Sequence, residues 1–414
     1  MTPVTPATSA AEPSLTQFED LEISNTDRAR VVLRAAARTA GYLSPRGAAR
    51  RHRQLAEAGV AEPPSAREIA GHVALDEVAM AVFQLAKSAP SAVRWSTIAA
   101  EVEQASERWE REGWLDDPAS YHGAPPPPIA DHRHRRVRVG RRTVEGLSFL
   151  SGWAPHPGEP GRDRWLGYRP NHVARVYVLR HSGPPRPWIV CVHGAQMGRP
   201  TIDTRVFGVE HLYRDLGLNV ALPVLPLHGR RRPPPEMDAM FPTVDLLDNV
   251  HGLAQGAWDV RRVLAWVRAQ GAPGVAVLGV SLGGNVTALV AGLEPALDCV
   301  IAGVPVSDFP SLFRRSTPPR YRGRPEFALM GEPAQRLHRV VSPLALWPAT
   351  PRSRRFLFAG AADRLIDPVG QVLPLSRHWG SPVTHWFPGG HVGHLRRADI
   401  AGFVDDALRA CDLA

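Results

Sequence analysis

The sequence predicts an α/β protein: a mostly parallel sheet flanked by helices, with a separate helical unit on its N-terminal side. Three observations carry this. Short, wholly apolar runs such as Trp188–Val192 and Val275–Gly279 read as strands buried on both faces. They alternate with stretches whose apolar residues recur at helical spacing, a succession that implies parallel pairing through right-handed crossovers. Over residues 23–114, ahead of the break Ala124-Pro125-Pro126-Pro127-Pro128, the period is helical.

Composition sets outer bounds. With 414 residues, 44% hydrophobic and 21% charged, the chain is long enough for one large core and a smaller second unit. No apolar stretch reaches the ~18 residues that a spanning helix needs, so stable membrane insertion is not expected. Residues 1–22 are rich in Pro, Thr and Ala and lack a basic-then-apolar secretory pattern, which predicts a disordered leader and, by default, a cytoplasmic location. Cys191 and Cys299 fall inside predicted strands and Cys411 near the C-terminus; an odd count so placed suggests buried, reduced thiols.

The net charge of +9 raises the question of nucleic acid. Almost every cation is arginine, Lys87 being the single lysine, and the arginines are interleaved with Ala, Pro and Gly. The densest runs, His132-Arg133-His134-Arg135-Arg136 and Arg230-Arg231-Arg232, are expected in loops without interleaved aromatics. Solvated charge therefore fits better than a phosphate-binding footprint.

The helical unit is predicted over residues 23–123. Ser44-Pro45 is an N-cap followed by proline at the first helical position. Ser65 and Glu68 form a capping box ahead of a stripe of Ile69, Val73, Val78, Val82 and Leu85. A second stripe, Ile98, Val102, Ala105 and Trp109, runs until Gly113 stops it. A stiff linker follows at 124–136. The second domain then spans 137–414.

Within that domain, Val137–Val139, Thr143–Leu150 and Val173–Leu179 are candidate antiparallel strands. Trp188–Val192 is the first buried strand and ends at His193-Gly194-Ala195-Gln196. The strand at 218–224 leads into a long loop through His228 and the Arg230 run, which could border a substrate or simply cross the surface. A helix between Asp245 and Gln270 feeds the strand Val275–Gly279. Further strands are expected at 299–304, 355–359 and 383–387, with an irregular excursion at 306–341 that would suit a small cap.

The chemistry gathers at strand ends. Gly279-Val280-Ser281-Leu282-Gly283 lies between a strand and an apolar helix pattern, the setting in which G-x-S-x-G lifts a serine above a sheet edge. The two glycines are required because so tight a turn leaves no room for Cβ atoms beside the serine. A structural turn with an inert serine is the plainer reading, and the flanking strand and helix argue against it. Asp363 and His391 each follow a later strand, completing the order Ser, Asp, His. An imidazole beside Ser281 would take the hydroxyl proton during attack and return it to the leaving group. A buried carboxylate at Asp363 would hold the imidazole in the right tautomer. The Ala195 and Leu282 amides, with Gln196 as alternative to Ala195, are the candidate oxyanion donors. His193 is expected to hold its loop by hydrogen bonds.

Each assignment has a rival. His394 could be the base, although Gly389-Gly390 allows a tight turn before His391. Asp308 is the alternative acid, and Asp367, before Pro368, is expected to cap the next helix. The spacing of His391 and His394 could suit a metal, but no third ligand cluster is evident. No Gly-rich phosphate motif follows a strand, so no nucleotide cofactor is expected.

Together, His193-Gly194, Gly279-Val280-Ser281-Leu282-Gly283, Asp363 and Gly390-His391 resemble the α/β-hydrolase superfamily over roughly residues 135–410. The run Ser281-Leu282-Gly283-Gly284 with Gly390-His391 near the end is similar to its dienelactone-hydrolase and acyl-esterase-like branch. The resemblance implies a mostly parallel eight-stranded sheet, an acyl-serine intermediate and no cofactor. The helical unit lies outside the common fold and is similar to an extension on some bacterial members. The expected activity is hydrolysis of a small carboxylic ester; acyl transfer by the same residues and a non-catalytic binding module are the competing readings. The helical unit is expected to cover part of the site's mouth.

Overall fold

The computed structural model of the chain describes residues 25–60, 62–85, 92–124, 126–127, 129, 132–140, 142–237, 239–317, 322–394 and 397–414. The leader expected at 1–22 lies outside them.

One sheet organises the second domain. Its strands are β1 (Arg133–Val139), β2 (Arg142–Leu150), β3 (Val173–Leu179), β4 (Trp188–Val192), β5 (Asn219–Val224), β6 (Val275–Val280), β7 (Cys299–Gly303), β8 (Arg355–Gly360) and β9 (Val383–Phe387). They lie in the order β1-β2-β3-β5-β4-β6-β7-β8-β9. β1, β2, β3 and β5 pair antiparallel, and from β5 across to β9 every neighbour is parallel. The sheet thus has nine strands, one more than the resemblance implied and as many as the apolar runs of the sequence mark out.

Alternation along the central strands fills two cores. Val190 and Val192 of β4 face one, with the helices Leu246–Ala269 and Leu282–Leu293. Ile189 and Cys191 face the other, with the C-terminal helix Ala398–Ala410, as the period of two requires.

Two expectations about the basic runs are corrected. Residues 133–136, assigned to the linker, are strand: β1 is the sheet edge, and its first four residues are exposed. Charged side chains on an exposed edge discourage further strand pairing. Arg231 is fully buried, forming an ion pair with Asp259 at 2.8 Å and donating to the carbonyls of Val224 and Asn171. A buried guanidinium needs such partners, so Arg231 braces the loop after β5, while Arg230 and Arg232 on either side are exposed as expected.

The helical unit contains α1 (Asn25–Leu43), α2 (Pro45–Glu57), α3 (Ala66–Leu85) and α4 (Ala92–Arg111). Ser44 caps α2 by accepting the Gly47 N–H at 3.2 Å, with Pro45 at the first position. Ser65 and Glu68 exchange the capping-box bonds at the start of α3. On α4, Ile98, Val102, Ala105 and Trp109 are buried in the same core as Val190 and the helix Leu282–Leu293. The unit therefore shares a core with the sheet domain.

The stripe expected on α3 does not form one face. Ile69 and Val73 are buried, but Val78 and Val82 are exposed, while Asp76 and Glu77 are buried. The two acids take inward positions because each meets donors there: Asp76 the backbone N–H groups of Arg364, His391 and Val392, and Glu77 the guanidinium groups of Arg38 and Arg364. The 306–341 excursion carries the helices Phe309–Ser316 and Glu332–His338, the second packed against α4. All three cysteines are free and buried. No described helix is long and apolar enough to cross a membrane.

Candidate active site

The strand β6 ends at Val280, and the helix Leu282–Leu293 begins two residues later. Between them Ser281 adopts φ 57° and ψ −117°, a conformation a non-glycine residue holds only under tertiary constraint. A Cβ on Gly279 would stand 2.1 Å from the Gly283 carbonyl oxygen, and one on Gly283 would stand 2.0 Å from that of Val192. Neither position can carry a side chain.

Two further strand ends converge here. The acid loop after β8 is tied to the histidine loop after β9: Ala361 donates its N–H to the Phe387 carbonyl at 2.9 Å, and Ala362 to that of Gly389 at 3.0 Å. Asp363 and His391, both buried, then meet, with 2.8 Å between His391 Nδ1 and Asp363 Oδ2. The other ring nitrogen, Nε2, lies 3.0 Å from Ser281 Oγ. A carboxylate accepts only, so the proton sits on Nδ1 and Nε2 is left to accept from the serine hydroxyl. The second oxygen of Asp363 accepts the Ile366 N–H at 2.7 Å, which locks the carboxylate.

Burial pushes the His391 imidazole toward neutrality, but the charge and hydrogen bond of Asp363, with the charge of Asp76, outweigh it and hold the ring above its ordinary pKa.

The loop after β4 lies against the serine: a Cβ on Gly194 would stand 3.3 Å from Ser281 Cβ. Ala195 follows, and Gln196 takes a left-handed φ of 63° with its side-chain oxygen accepting from Arg232 at 3.0 Å. Leu282 opens its helix, where the first N–H groups have no intrahelical acceptor. His193 is buried; its Nε2 accepts the Leu225 N–H at 3.0 Å and its Nδ1 donates to the Gly194 carbonyl at 2.8 Å. Burial pulls its pKa down to about 3, so it is a neutral brace for the loop.

The rival acids stand elsewhere. Asp308 caps the helix Phe309–Ser316 through the Ser311 N–H at 3.0 Å and accepts from Gln335. Asp367 makes no side-chain cap, contrary to expectation, and pairs with Arg315 at 2.7 Å; an arginine within reach outcompetes a single amide. The side chain of His394 is outside the described portion. Among the described residues no group of three or more His, Cys, Asp or Glu could hold a metal ion.

One residue at this site escaped the sequence reading. Asp76 of α3 is fully buried and accepts N–H groups from Arg364 at 3.0 Å, His391 at 2.7 Å and Val392 at 3.1 Å. The available signal was its spacing: positions 69, 73 and 76 share one helical face.

Comparison with known proteins agrees with this architecture. The family described as alpha/beta hydrolase domain containing 18 matches residues 167–306. The uncharacterized proteins MT2702 and Rv2627c of Mycobacterium tuberculosis are each 44% identical to the chain over 318 residues, covering 76% of it and 76% of their own length. Among solved structures, an acetyl xylan esterase from Paenibacillus sp. R4 superimposes with a TM-score of 0.50 at 15% identity, over 72% of this chain and 92% of that one; at that identity the likeness is one of fold. The chain belongs to the α/β-hydrolase superfamily, in a family with these mycobacterial proteins.

Proposed function

We propose that the protein is a serine hydrolase acting on carboxylic esters, with Ser281 as nucleophile, His391 as general base and then acid, and Asp363 orienting the imidazole. The observation that carries the reading is the bridging position of His391, 3.0 Å from Ser281 Oγ and 2.8 Å from Asp363. A serine hydroxyl is a weak nucleophile until a neighbouring base takes its proton as attack occurs.

Ser281 Oγ attacks the ester carbonyl carbon while its proton passes to His391 Nε2. The resulting oxyanion is held by the amides of Ala195 and Leu282, with Gln196 as the alternative to Ala195; one such donor typically contributes about 10²–10³ in rate. Asp363 stabilises the imidazolium without itself taking the proton. The tetrahedral adduct collapses, the carbon–oxygen bond to the alcohol breaks, and that oxygen receives the proton from His391. Water then attacks the acyl-serine by the same route, releasing the acid and restoring Ser281.

The test is labelling of the folded protein with a fluorophosphonate probe. Wild type should label at Ser281, and Ser281→Ala should not; a folded wild type that never labels, or a variant that labels equally, would overturn the reading. p-Nitrophenyl esters of increasing acyl length then define the substrate.

A further inference from the structure

The helical unit reaches the two loops that carry the acid and the base. Ile69 and Val73 of α3 pack on Ala362, immediately before Asp363. Immediately after it, the guanidinium of Arg364 binds Glu77 of α3 at 3.0 Å and lies 4.3 Å from the Tyr42 ring centroid at the end of α1. Arg38 of α1 holds Glu77 from the other side at 2.6 Å. Asp363 is thus flanked on both sides by contacts to α1 and α3. Between these contacts stands the Asp76 carboxylate, whose three N–H donors come from both loops, one from Arg364 and two from His391 and Val392. The fit is close: a Cβ on Gly390 would lie 2.5 Å from Asp76 Oδ2.

We propose that Asp76 is a positioning residue for the chemistry at Ser281, fastening the acid and histidine loops together and supplying a second negative charge to the His391 imidazolium. This rests on the serine-hydrolase reading above. The described groups that act on the imidazole include Asp363 from the β8 loop, Asp76 from α3 and the neutral Ser281 hydroxyl. Arg364 and Glu77 lie beyond, paired with each other, and His72 of α3 lies against Gly393.

The carboxylate form suits the site. Three N–H donors converge on it, and an acceptor-only group answers all three. An asparagine would present an amide N–H₂ to at least one of them and carry no charge. Burial and the charge of Asp363 push the Asp76 pKa up more than the three backbone donors pull it down, so it stands above the ordinary carboxylate value. As the base becomes imidazolium during attack, the second carboxylate helps to stabilise it.

Asp76→Asn in the full-length chain provides the test, read in two ways. An NMR titration of the His391 ring reports its pKa without reference to activity, and the variant's midpoint should fall below that of wild type. The rate of fluorophosphonate labelling at Ser281 should fall about tenfold or more, since small displacements of catalytic groups are costly. A folded Asp76→Asn protein with an unchanged His391 midpoint overturns the proposal, because a merely structural residue would leave that midpoint in place. Should wild type itself fail to label, the serine-hydrolase reading falls, while the NMR comparison still decides the role of Asp76.

If Asp76→Asn does not fold, Val73→Ala loosens the seat of α3 more gently. Hydrogen exchange at the Arg364, His391 and Val392 amides should then accelerate by a common factor. Unchanged or unrelated exchange at the three amides would overturn the clamp.

Discussion

The backbone N–H of His391 donates to the Asp76 carboxylate at 2.7 Å, across 315 positions of chain. The same histidine presents its ring to Ser281 and Asp363, so one residue joins the sheet-end site to the helical unit. A backbone bond to a buried acceptor is costly to leave unmade, which makes α3 part of what holds the histidine loop in shape.

If Ser281 is the nucleophile, as proposed, removing its hydroxyl should abolish turnover while sparing the fold. The Ser281 side chain makes a single hydrogen bond to the histidine loop, whereas Asp363 makes two, so Ser281→Ala should keep its melting temperature within a few degrees. Its kcat on p-nitrophenyl esters should drop by about 10⁴-fold or more.

Asp363→Asn should act through the imidazole. The Nδ1 proton loses its carboxylate acceptor, the other tautomer becomes accessible, and kcat should fall by about 10⁴-fold. Because Asp363 also accepts the Ile366 N–H, a modest loss of thermal stability should accompany it; calorimetry separates the two effects.

In its proposed role as base His391 works only when neutral, so activity should decline as pH falls through its pKa. Burial lowers that pKa, but Asp363 and Asp76 raise it more, and the net direction is upward from the ordinary 6.5. The acid limb of kcat/KM, measured across a buffer series, should therefore lie above pH 6.5 and move to lower pH in Asp76→Asn.

The elbow leaves no room for a methyl group. In Gly283→Ala the new Cβ would stand 2.0 Å from the Val192 carbonyl oxygen, a backbone atom that cannot swing aside. The variant should lose at least about 1–3 kcal/mol, seen as a lower midpoint in urea unfolding.

Trp109 on α4 is fully buried in the core that includes the sheet's helices. Trp109→Ala should cost about 3–5 kcal/mol and lower the melting of the whole molecule in one transition. Two transitions, with only the first affected, would instead mean that α4 unfolds independently of the sheet domain.

The local elements of this protein are written in its sequence. Apolar runs specify the central strands β4 to β8 because both faces of the sheet are covered there. Ser44 and Ser65 specify helix starts because their caps are made within one turn of chain. The elbow is legible for the same reason: Gly279, Ser281 and Gly283 meet their steric constraints within a few residues. Asp363 and His391 could be placed at strand ends by order alone. Tertiary structure decided which polar residues go inside. On α3 the apolar pattern pointed to Val78 and Val82, yet the buried face belongs to Asp76 and Glu77; Arg231, in a run that looked solvated, is buried against Asp259. A buried charge is tolerable only where its partners are, and those partners lie on distant segments. Spacing along the chain records a helical face, but not the backbone N–H groups that will meet it.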